Sequence, residues 1–543
     1  MAQNGTFDYV IVGAGSAGCT LAMRLSEDGA RVLVLEAGGW DRDPWIRIPL
    51  GWGRILTNRM HDWMYFTEPE PTMDGRRIEC ARGKVIGGSS SINAMAYVRG
   101  HRADYDRWAA AGLPAWSYAH VLPYFRRQES WEGGASAFRG GDGPLTTRYS
   151  TYADPLVEAY LAAGQAAGFP LVEDYNGAQQ EGFARLQSTI RDGRRCSLAV
   201  AYLRPAMARE NVTVEVAALA ARVVLEGSRA VGVEYLQRGQ RITARANREV
   251  ILAGGVINSP QLLMLSGIGD PAELTPHGIA VKVPLRGVGK NLQDHISAGI
   301  VFARNEPGPL QRAMRLDRIA GELAKAYVLG KGIATDLPSG STAFIRTGDA
   351  SVPNVQYLLV AAPFDAAPYL PPFKPAFADS FSVRIVVLRP ESRGTIRLAS
   401  ADPQGSVRIQ QNFLSHESER RQLRDGIRIM REIARQAPLH SFIAREAAPG
   451  AAASSDAEID AYVRATGVTV HHPLGTCKMG PDADADAVVD AELRVRGVER
   501  LRVVDASVMP DLVGGNINAP VVMVAEMAAD LIRGRLPLAP VNV

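Results

Sequence analysis

Between Phe7 and Glu36 the spacing of apolar positions changes character three times. FDYVIV is a short apolar run, GAGSAG is a glycine cluster, CTLAMRLSEDG has helical spacing, and ARVLVLE returns to an unbroken apolar run. The pattern predicts strand, tight turn, helix and strand, which is one βαβ unit. A second apolar run, VILAGG at 250–255, leads through Asn258, Ser259 and Pro260 into the apolar QLLMLSGIG, again a strand feeding a helix. A third, LRVVDAS at 501–507, precedes a Gly-Gly-Asn loop and a closing helix expected from Ala519 to Arg533. Similar elements therefore recur near the start, middle and end of the chain. The fold class expected is α/β, α+β overall, with one discontinuous domain over 1–150, 200–300 and 466–543. The segments 151–199 and 301–465, with proline-rich and aromatic loops such as 361–377, are expected to form a second, substrate-binding domain. Within it, 312–329 reads as an amphipathic helix with Leu316, Ile319, Leu323 and Tyr327 near one face, a stripe expected to pack on a core.

Composition narrows the function classes. The chain has 543 residues, more than one hydrophobic core serves. Its 60 basic and 57 acidic residues leave a net charge of +3, too small and too evenly spread to point to a nucleic-acid partner. Cys19, Cys80, Cys196 and Cys477 are far apart, lack the paired spacing of a structural metal site, and read as free thiols. The opening MAQNGTFDYVIVGAG has no basic stretch before an apolar one, and no apolar run reaches membrane-spanning length. A cytoplasmic enzyme is expected, with peripheral membrane attachment left open, as a monomer or homodimer.

The first chemical signal is Gly13-Ala14-Gly15-Ser16-Ala17-Gly18 directly after a strand, with Glu36 at the end of the next one. Gly13 permits the tight turn, Gly15 lets backbone approach a pyrophosphate, and Gly18 allows helix and strand to pack closely. The helix N-terminus offers N–H groups, and Glu36 can accept ribose hydroxyls. A Rossmann-type dinucleotide site follows, and this unit leaves NAD and FAD both open.

Five further blocks resolve that choice by resemblance. ARGKVIGGSSSINAMAYVRG (81–100), GGVINSPQLLMLSGIG (254–269), RGVGKNLQDH (286–295), HHPLGTCKMG (471–480) and LRVVDASVMPDLVGGNINAP (501–520) resemble, in order, the signatures of the glucose-methanol-choline (GMC) oxidoreductase family, with Val256 where a smaller residue is usual. The resemblance implies FAD, a Rossmann-type FAD-binding domain and a substrate-binding domain built on an antiparallel sheet. It places FAD against Gly13, Gly15, Ser16, Ala17, Gly18, Glu36 and Ala37, against Arg82, Gly87, Gly88, Ser89, Asn93 and Ala94, near the backbone of Val223, and against Asp505, Ala506 and Asn518. Trp63, in HDWMYFTEP, resembles a tryptophan near the cofactor. The hydroxyl run Ser89, Ser90, Ser91 can satisfy phosphate or ring polar atoms.

The resemblance further implies two catalytic residues, His472 as general base and Asn518 as its partner on the substrate oxygen. Oxidising a carbinol by hydride transfer requires the hydroxyl proton to leave as well, and histidine suits that task near neutrality. Asn518 also stands where an N-cap is expected before Ala519-Pro520. His471 beside it lacks the neighbours of a metal site, and no metal is expected. Asp294 and His295 read as orienting a loop at the domain junction. The expected reaction is oxidation of a primary alcohol with a quinone-type acceptor, as in choline dehydrogenase-like members. The alternatives are O2 reduction to peroxide, towards which Val470 pulls, and a non-redox lyase or decarboxylase chemistry of the same fold. Tyr357, Phe364, Tyr369 and Phe373 offer rings for a cation cage.

The resemblance puts Ile92 where some relatives tether FAD through histidine, and isoleucine offers no nucleophile. Acid precipitation should therefore leave a yellow supernatant and a colourless pellet; flavin retained on the pellet contradicts noncovalent binding.

Overall fold

The computed structural model describes residues 6–543. The βαβ unit forms as strand Thr6–Val12, helix Ser16–Leu25 and strand Val32–Leu35. Thr6–Val12 lies between Val32–Leu35 and the long strand Gln240–Leu252, both parallel to it. Gln240–Leu252 joins two halves of a seven-stranded sheet. Its first residues pair antiparallel with Arg229–Gln237, and its last three run parallel to Leu501–Val503. Both faces of the parallel half are covered, which is why these strands are continuous apolar runs rather than alternating ones.

The glycine turn is held by contacts that a side chain would break. A Cβ on Gly18 would sit 1.9 Å from the carbonyl oxygen of Gly13, and one on Gly13, itself at φ +101°, would sit 2.5 Å from that of Ala253. A Cβ on Gly15 meets no protein atom within 4 Å.

The second sheet is antiparallel. Its strands run in the order Ile443–Ala448, Ile296–Arg304, Ser380–Val387, Val355–Val360, Ser341–Ile345 and Gly182–Arg185. One face carries Ala298, Ile300, Tyr357, Leu359, Val383, Ile385 and Val387 into a core shared with the helices Pro155–Ala166 and Glu417–Ala434. The opposite face lines a cavity. Val468–Thr469 pairs with Ile296 and Ser297, so the segment running into His472 is hydrogen-bonded to this sheet.

Several elements depart from the sequence reading. The helix after VILAGG is Gly255–Leu265 and contains Pro260. The carbonyl of Val256, which Pro260 cannot bond, instead accepts the Thr476 hydroxyl at 2.6 Å, so the helix survives its proline. The helix expected over 312–329 is Leu316–Leu329, with a separate turn at Pro309–Ala313. It buries Ile319 and Ala326, while Leu316, Tyr327, Val328 and Leu329 stay exposed. The antiparallel pair Thr395–Leu398 and Val407–Gln410, assigned above to the second domain, packs Ile396, Leu398, Val407 and Ile409 into the dinucleotide-side core. Met73 and Ile78 join the other core. Among the described residues no helix is long and apolar enough to cross a membrane. The four cysteines are free and buried.

The glycine geometry has a direct consequence. Gly18→Ala should destabilise the fold by about 1–3 kcal/mol, the usual cost of overpacking, because backbone has to yield. In the cofactor-free protein Gly15→Ala should melt with the parent, since its Cβ takes up only space left for the cofactor, and equal melting of both variants in thermal unfolding would contradict the packing described.

Candidate active site

The two sheets meet around a cavity of about 530 Å³. At one end lie Gly13, Gly15, Ser16 and Ala17, with Glu36 and Ala37, and along it Arg82, Gly88, Ser89, Asn93 and Ala94, with Asp505, Ala506 and Asn518. The helix Ser16–Leu25 opens at Gly15 with no side chain capping it, so its first N–H groups and the positive end of its dipole face this space. Glu36 accepts the N–H groups of Ala14 at 2.9 Å and Gly38 at 2.8 Å, and burial pushes its carboxyl up to about 7 against their pull. Asp505 is held by Gly255 N at 2.8 Å, Ser259 Oγ at 2.6 Å and Ser507 N at 2.8 Å. Open space beside Gly15, an uncapped helix start and an acid at the end of the second strand fit the pyrophosphate and ribose of a dinucleotide.

Other residues expected at the cofactor are placed differently. Val223 is fully buried with its N–H on Ser266 Oγ, and Ala218, Leu219 and Ala220 line the cavity instead. A register shift between Ala220 and Arg222 in that strand separates the two stretches. Gly87 acts behind the lining: its N–H binds the carbonyl of Ala14 at 2.7 Å, tying the 81–100 loop to the glycine turn. Beside it Gly88, at φ +53°, comes so close to Gly15 that a Cβ would lie 2.7 Å from Gly15 Cα. Ser90 and Ser91 point inward, to the carbonyls of Gly87 and Ile86, and only Ser89 of the three lines the cavity. Trp63 lines it too, stacked on Tyr65 with Lys84 4.5 Å from its ring centre. Ile92 also faces the cavity.

His472 stands at the junction of the sheets, buried yet in contact with the cavity. Its backbone N–H binds Asp294 Oδ1 at 2.8 Å, and Asp294 Oδ2 accepts the Thr469 hydroxyl at 2.5 Å. Burial pushes the Asp294 carboxyl up to about 6 in spite of that hydroxyl and of Arg82. The histidine's Nδ1 lies 3.0 Å from His295 Nδ1, and its Nε2 lies 3.0 Å from Asn516 Nδ2.

These contacts fix the tautomer. The other ring nitrogen of His295, Nε2, is 3.0 Å from the carbonyl oxygen of Leu388, which only accepts, so that nitrogen carries a proton. Burial pulls His295 down to about 4 and keeps it neutral, so its Nδ1 is an acceptor and His472 Nδ1 is the donor. The lone pair of His472 is thereby left on Nε2. Burial, with His295, Arg82 and His471 nearby, holds His472 well below the ordinary histidine range, lower than the near-neutral value a base is expected to have.

The asparagine beside His472 is Asn516, not Asn518. Asn518 is the first residue of helix Asn518–Ile532, and its Oδ1 accepts the Ser16 hydroxyl at 2.7 Å. Nor is it the N-cap, a position that Ile517 holds without a side-chain bond. Two residues earlier the chain is still in the Gly514-Gly515 loop, and the change from loop to helix turns the two asparagines in different directions. Both occur in GNINAP, so the signal was present and the choice between them was not readable. Asp294 and His295 likewise do more than orient a loop, since both bond His472 directly. His471, at φ +65°, offers its carbonyl to Arg82 Nη2 at 2.6 Å, and among the described residues no cluster of metal-ligating side chains forms. The four expected rings scatter: Tyr357 is in the core, Tyr369 packs beside Leu310 and Met314, Phe373 is 86% exposed, and only Phe364 reaches the cavity.

Comparisons agree with this architecture. The GMC oxidoreductase family matches residues 7–297 with its N-terminal part and 390–525 with its C-terminal part. Choline dehydrogenase, mitochondrial, of Mus musculus is 46% identical over 99% of this chain and 91% of its own length. Oxygen-dependent choline dehydrogenase of Photobacterium profundum is 44% identical over 99% and 95%. Among solved structures, pyridoxine 4-oxidase from Mesorbium loti superimposes with a TM-score of 0.87 at 33% identity, covering 98% of this chain and 100% of that one. An Aspergillus oryzae formate oxidase variant gives 0.89 at 28%, covering 98% and 99%. With a dinucleotide cradle at one end of the cavity and a buried, tautomer-fixed histidine beside it, this chain is a flavoprotein oxidoreductase that belongs to the GMC family.

Proposed function

We propose that the protein oxidises a primary alcohol to an aldehyde, with His472 as general base, Asn516 as its partner and a quinone-type compound as electron acceptor. The observation that carries this reading is the unprotonated Nε2 of His472, presented at the cavity by a hydrogen-bond chain that leaves it no other protonation pattern. FAD held at the glycine turn supplies the acceptor for the hydride leaving the carbinol carbon. The chain's own residues manage the proton. An arriving hydroxyl takes the place of Asn516 on His472 Nε2 and gives up its proton there, while the Asn516 amide remains close enough to donate to the oxygen. As His472 becomes charged, its Nδ1–H bond to His295 Nδ1 strengthens, since the acceptor ring is held neutral. Asp294, bonded to the backbone N–H of His472, keeps the ring at this position without touching it. A second reading of the acceptor, O2, is favoured by Val470 on the cavity wall and by similarity to proteins named as oxygen-dependent or as oxidases. Stoichiometric peroxide on mixing reduced enzyme with air-saturated buffer selects it over a quinone analogue.

His472→Ala should keep the flavin spectrum and slow anaerobic flavin reduction by an alcohol about 10²- to 10⁴-fold, the usual worth of a positioned base. Asn516→Ala should slow it less, by about 10-fold, because one hydrogen bond to the reacting oxygen is lost. Asn518→Ala, which removes a bond to Ser16 and none to His472, should leave that step nearest the parent. The base works only when unprotonated, so the parent rate should fall as pH drops through a value below the ordinary histidine range and stay level above it. A His472 variant that reduces its flavin at the parent rate, or that retains the acid limb, removes His472 from the mechanism.

A further inference from the structure

The cavity face of the antiparallel sheet carries a charge that the proton chemistry does not use. Side chains alternate along Ser380–Val387: Val383 and Ile385 enter the core, and Arg384 between them lines the cavity. In register, Arg384 has Leu358 on one side and Gly299 on the other. A Cβ on Gly299 would meet nothing within 4 Å, so the strand position opposite Arg384 leaves open space beside its backbone.

Among the described residues Arg384 has no carboxylate partner. Its hydrogen bond to protein is from Nη1 to Ser297 Oγ at 3.3 Å, and its guanidinium carbon lies 5.2 Å from the centre of the Phe364 ring. Burial pulls its pKa below the ordinary arginine value, the opposite of what an ion-paired arginine shows. None of the carboxylates that border the cavity pairs with Arg384. Glu36 and Asp505 are held by backbone N–H groups at the dinucleotide end, and Glu79 faces Arg59 at 3.7 Å. The histidine segment is close by, because Ser297 also donates to the carbonyl of Val468, four residues before His472. Around Arg384 the wall is apolar, formed by Leu337, Pro338, Leu358, Val360 and Phe364.

A half-buried cation without a counter-ion is costly unless a ligand supplies one, and a guanidinium fork matches a carboxylate in a planar, two-point contact. Resting on the alcohol-oxidising reading of this cavity, we propose that Arg384 is its anion-recognition residue and that the alcohol carries a carboxylate at the far end of an apolar stem, as in an ω-hydroxy acid. The same charge opposes a quaternary ammonium alcohol, and of the rings that line the cavity, Trp52, Trp63 and Phe364, the last already faces the Arg384 guanidinium. The substrate class thus differs from the choline for which the similar dehydrogenases are named.

The experiment compares ω-hydroxyhexanoate, hexanol and choline as anaerobic reductants of the holoenzyme flavin, for the parent, Arg384→Gln and Arg384→Glu. The parent should reduce with ω-hydroxyhexanoate about 10- to 100-fold more efficiently than with hexanol, the worth of a charge-assisted hydrogen bond in a shielded site, and least well with choline. Arg384→Gln should erase the advantage over hexanol while leaving hexanol itself within a few-fold, and Arg384→Glu should invert the order of acid and choline. Hexanoate, which has no carbinol, should perturb the flavin spectrum on titration and lose affinity in Arg384→Gln by a similar factor. Equal efficiency with acid and hexanol in the parent, a parent preference for choline, or unchanged hexanoate affinity in Arg384→Gln overturns the assignment. If none of the alcohols reduces the flavin, the alcohol-oxidising reading fails, and the hexanoate titration still decides whether Arg384 binds anions.

Discussion

The Asp294 carboxylate joins the parts of this molecule that have to stay in register for the site to exist. It accepts the backbone N–H of His472 and the hydroxyl of Thr469, with Gln411 Nε2 3.4 Å away. Three distant stretches of chain therefore converge on one buried acid: the turn before strand Ile296–Arg304, the segment 469–472, and the residues after strand Val407–Gln410. A carboxylate removed from water needs such donors, and removing them would leave an unpaired buried acid. The neighbouring residue, His295, adds the bond that sets the proton on His472. Adjacent residues thus fix, separately, where the histidine is and which of its nitrogens can act as a base.

The dinucleotide side depends on close backbone approach instead. Gly18 over Gly13, and Gly88 over Gly15, leave no room for a Cβ, and Gly87 bonds the loop 81–100 to Ala14. Ser16 and Asn518 link the first helix to the last at 2.7 Å, so residues some 500 positions apart share one wall of the cavity. This is the physical content of a discontinuous domain: the parallel strands need partners on both sides, and the chain supplies them from its start, middle and end.

The cavity's electrostatics follow from which donors and acceptors are already matched. At the dinucleotide end the acids are held in place by backbone N–H groups and the Ser259 hydroxyl, and the helix start is left uncapped, an arrangement suited to phosphate. At the other end the histidines are held neutral by burial, and Arg384, like Arg82, has no carboxylate partner. A site that keeps its base neutral at a low pKa can accept a proton without first losing one to solvent.

Local pattern determined the βαβ unit, the glycine turn with Glu36, and the existence of strands at VILAGG and LRVV, because each rests on short-range periodicity and on backbone angles that only particular residues adopt. The ordered blocks carried the family, the cofactor and His472. Tertiary structure alone decided the rest. Asn516 rather than Asn518 meets His472 because a helix begins between them, and Val223 gives way to Ala218–Ala220 because the strand register shifts. Helix Gly255–Leu265 runs through Pro260 because Thr476, more than 200 residues away, supplies the bond its carbonyl needs. The stripe on Leu316–Leu329 reads as a core face, yet whether a stripe is covered depends on what packs against it, and of this one Ile319 and Leu323 are packed while Leu316 and Tyr327 are exposed. Arg384 sits in an ordinary strand pattern as one polar residue among apolar ones. That it faces a cavity, with an open glycine beside it and no acid within reach, depends on strand neighbours that come from sequence positions 299 and 358, and no local pattern encodes them.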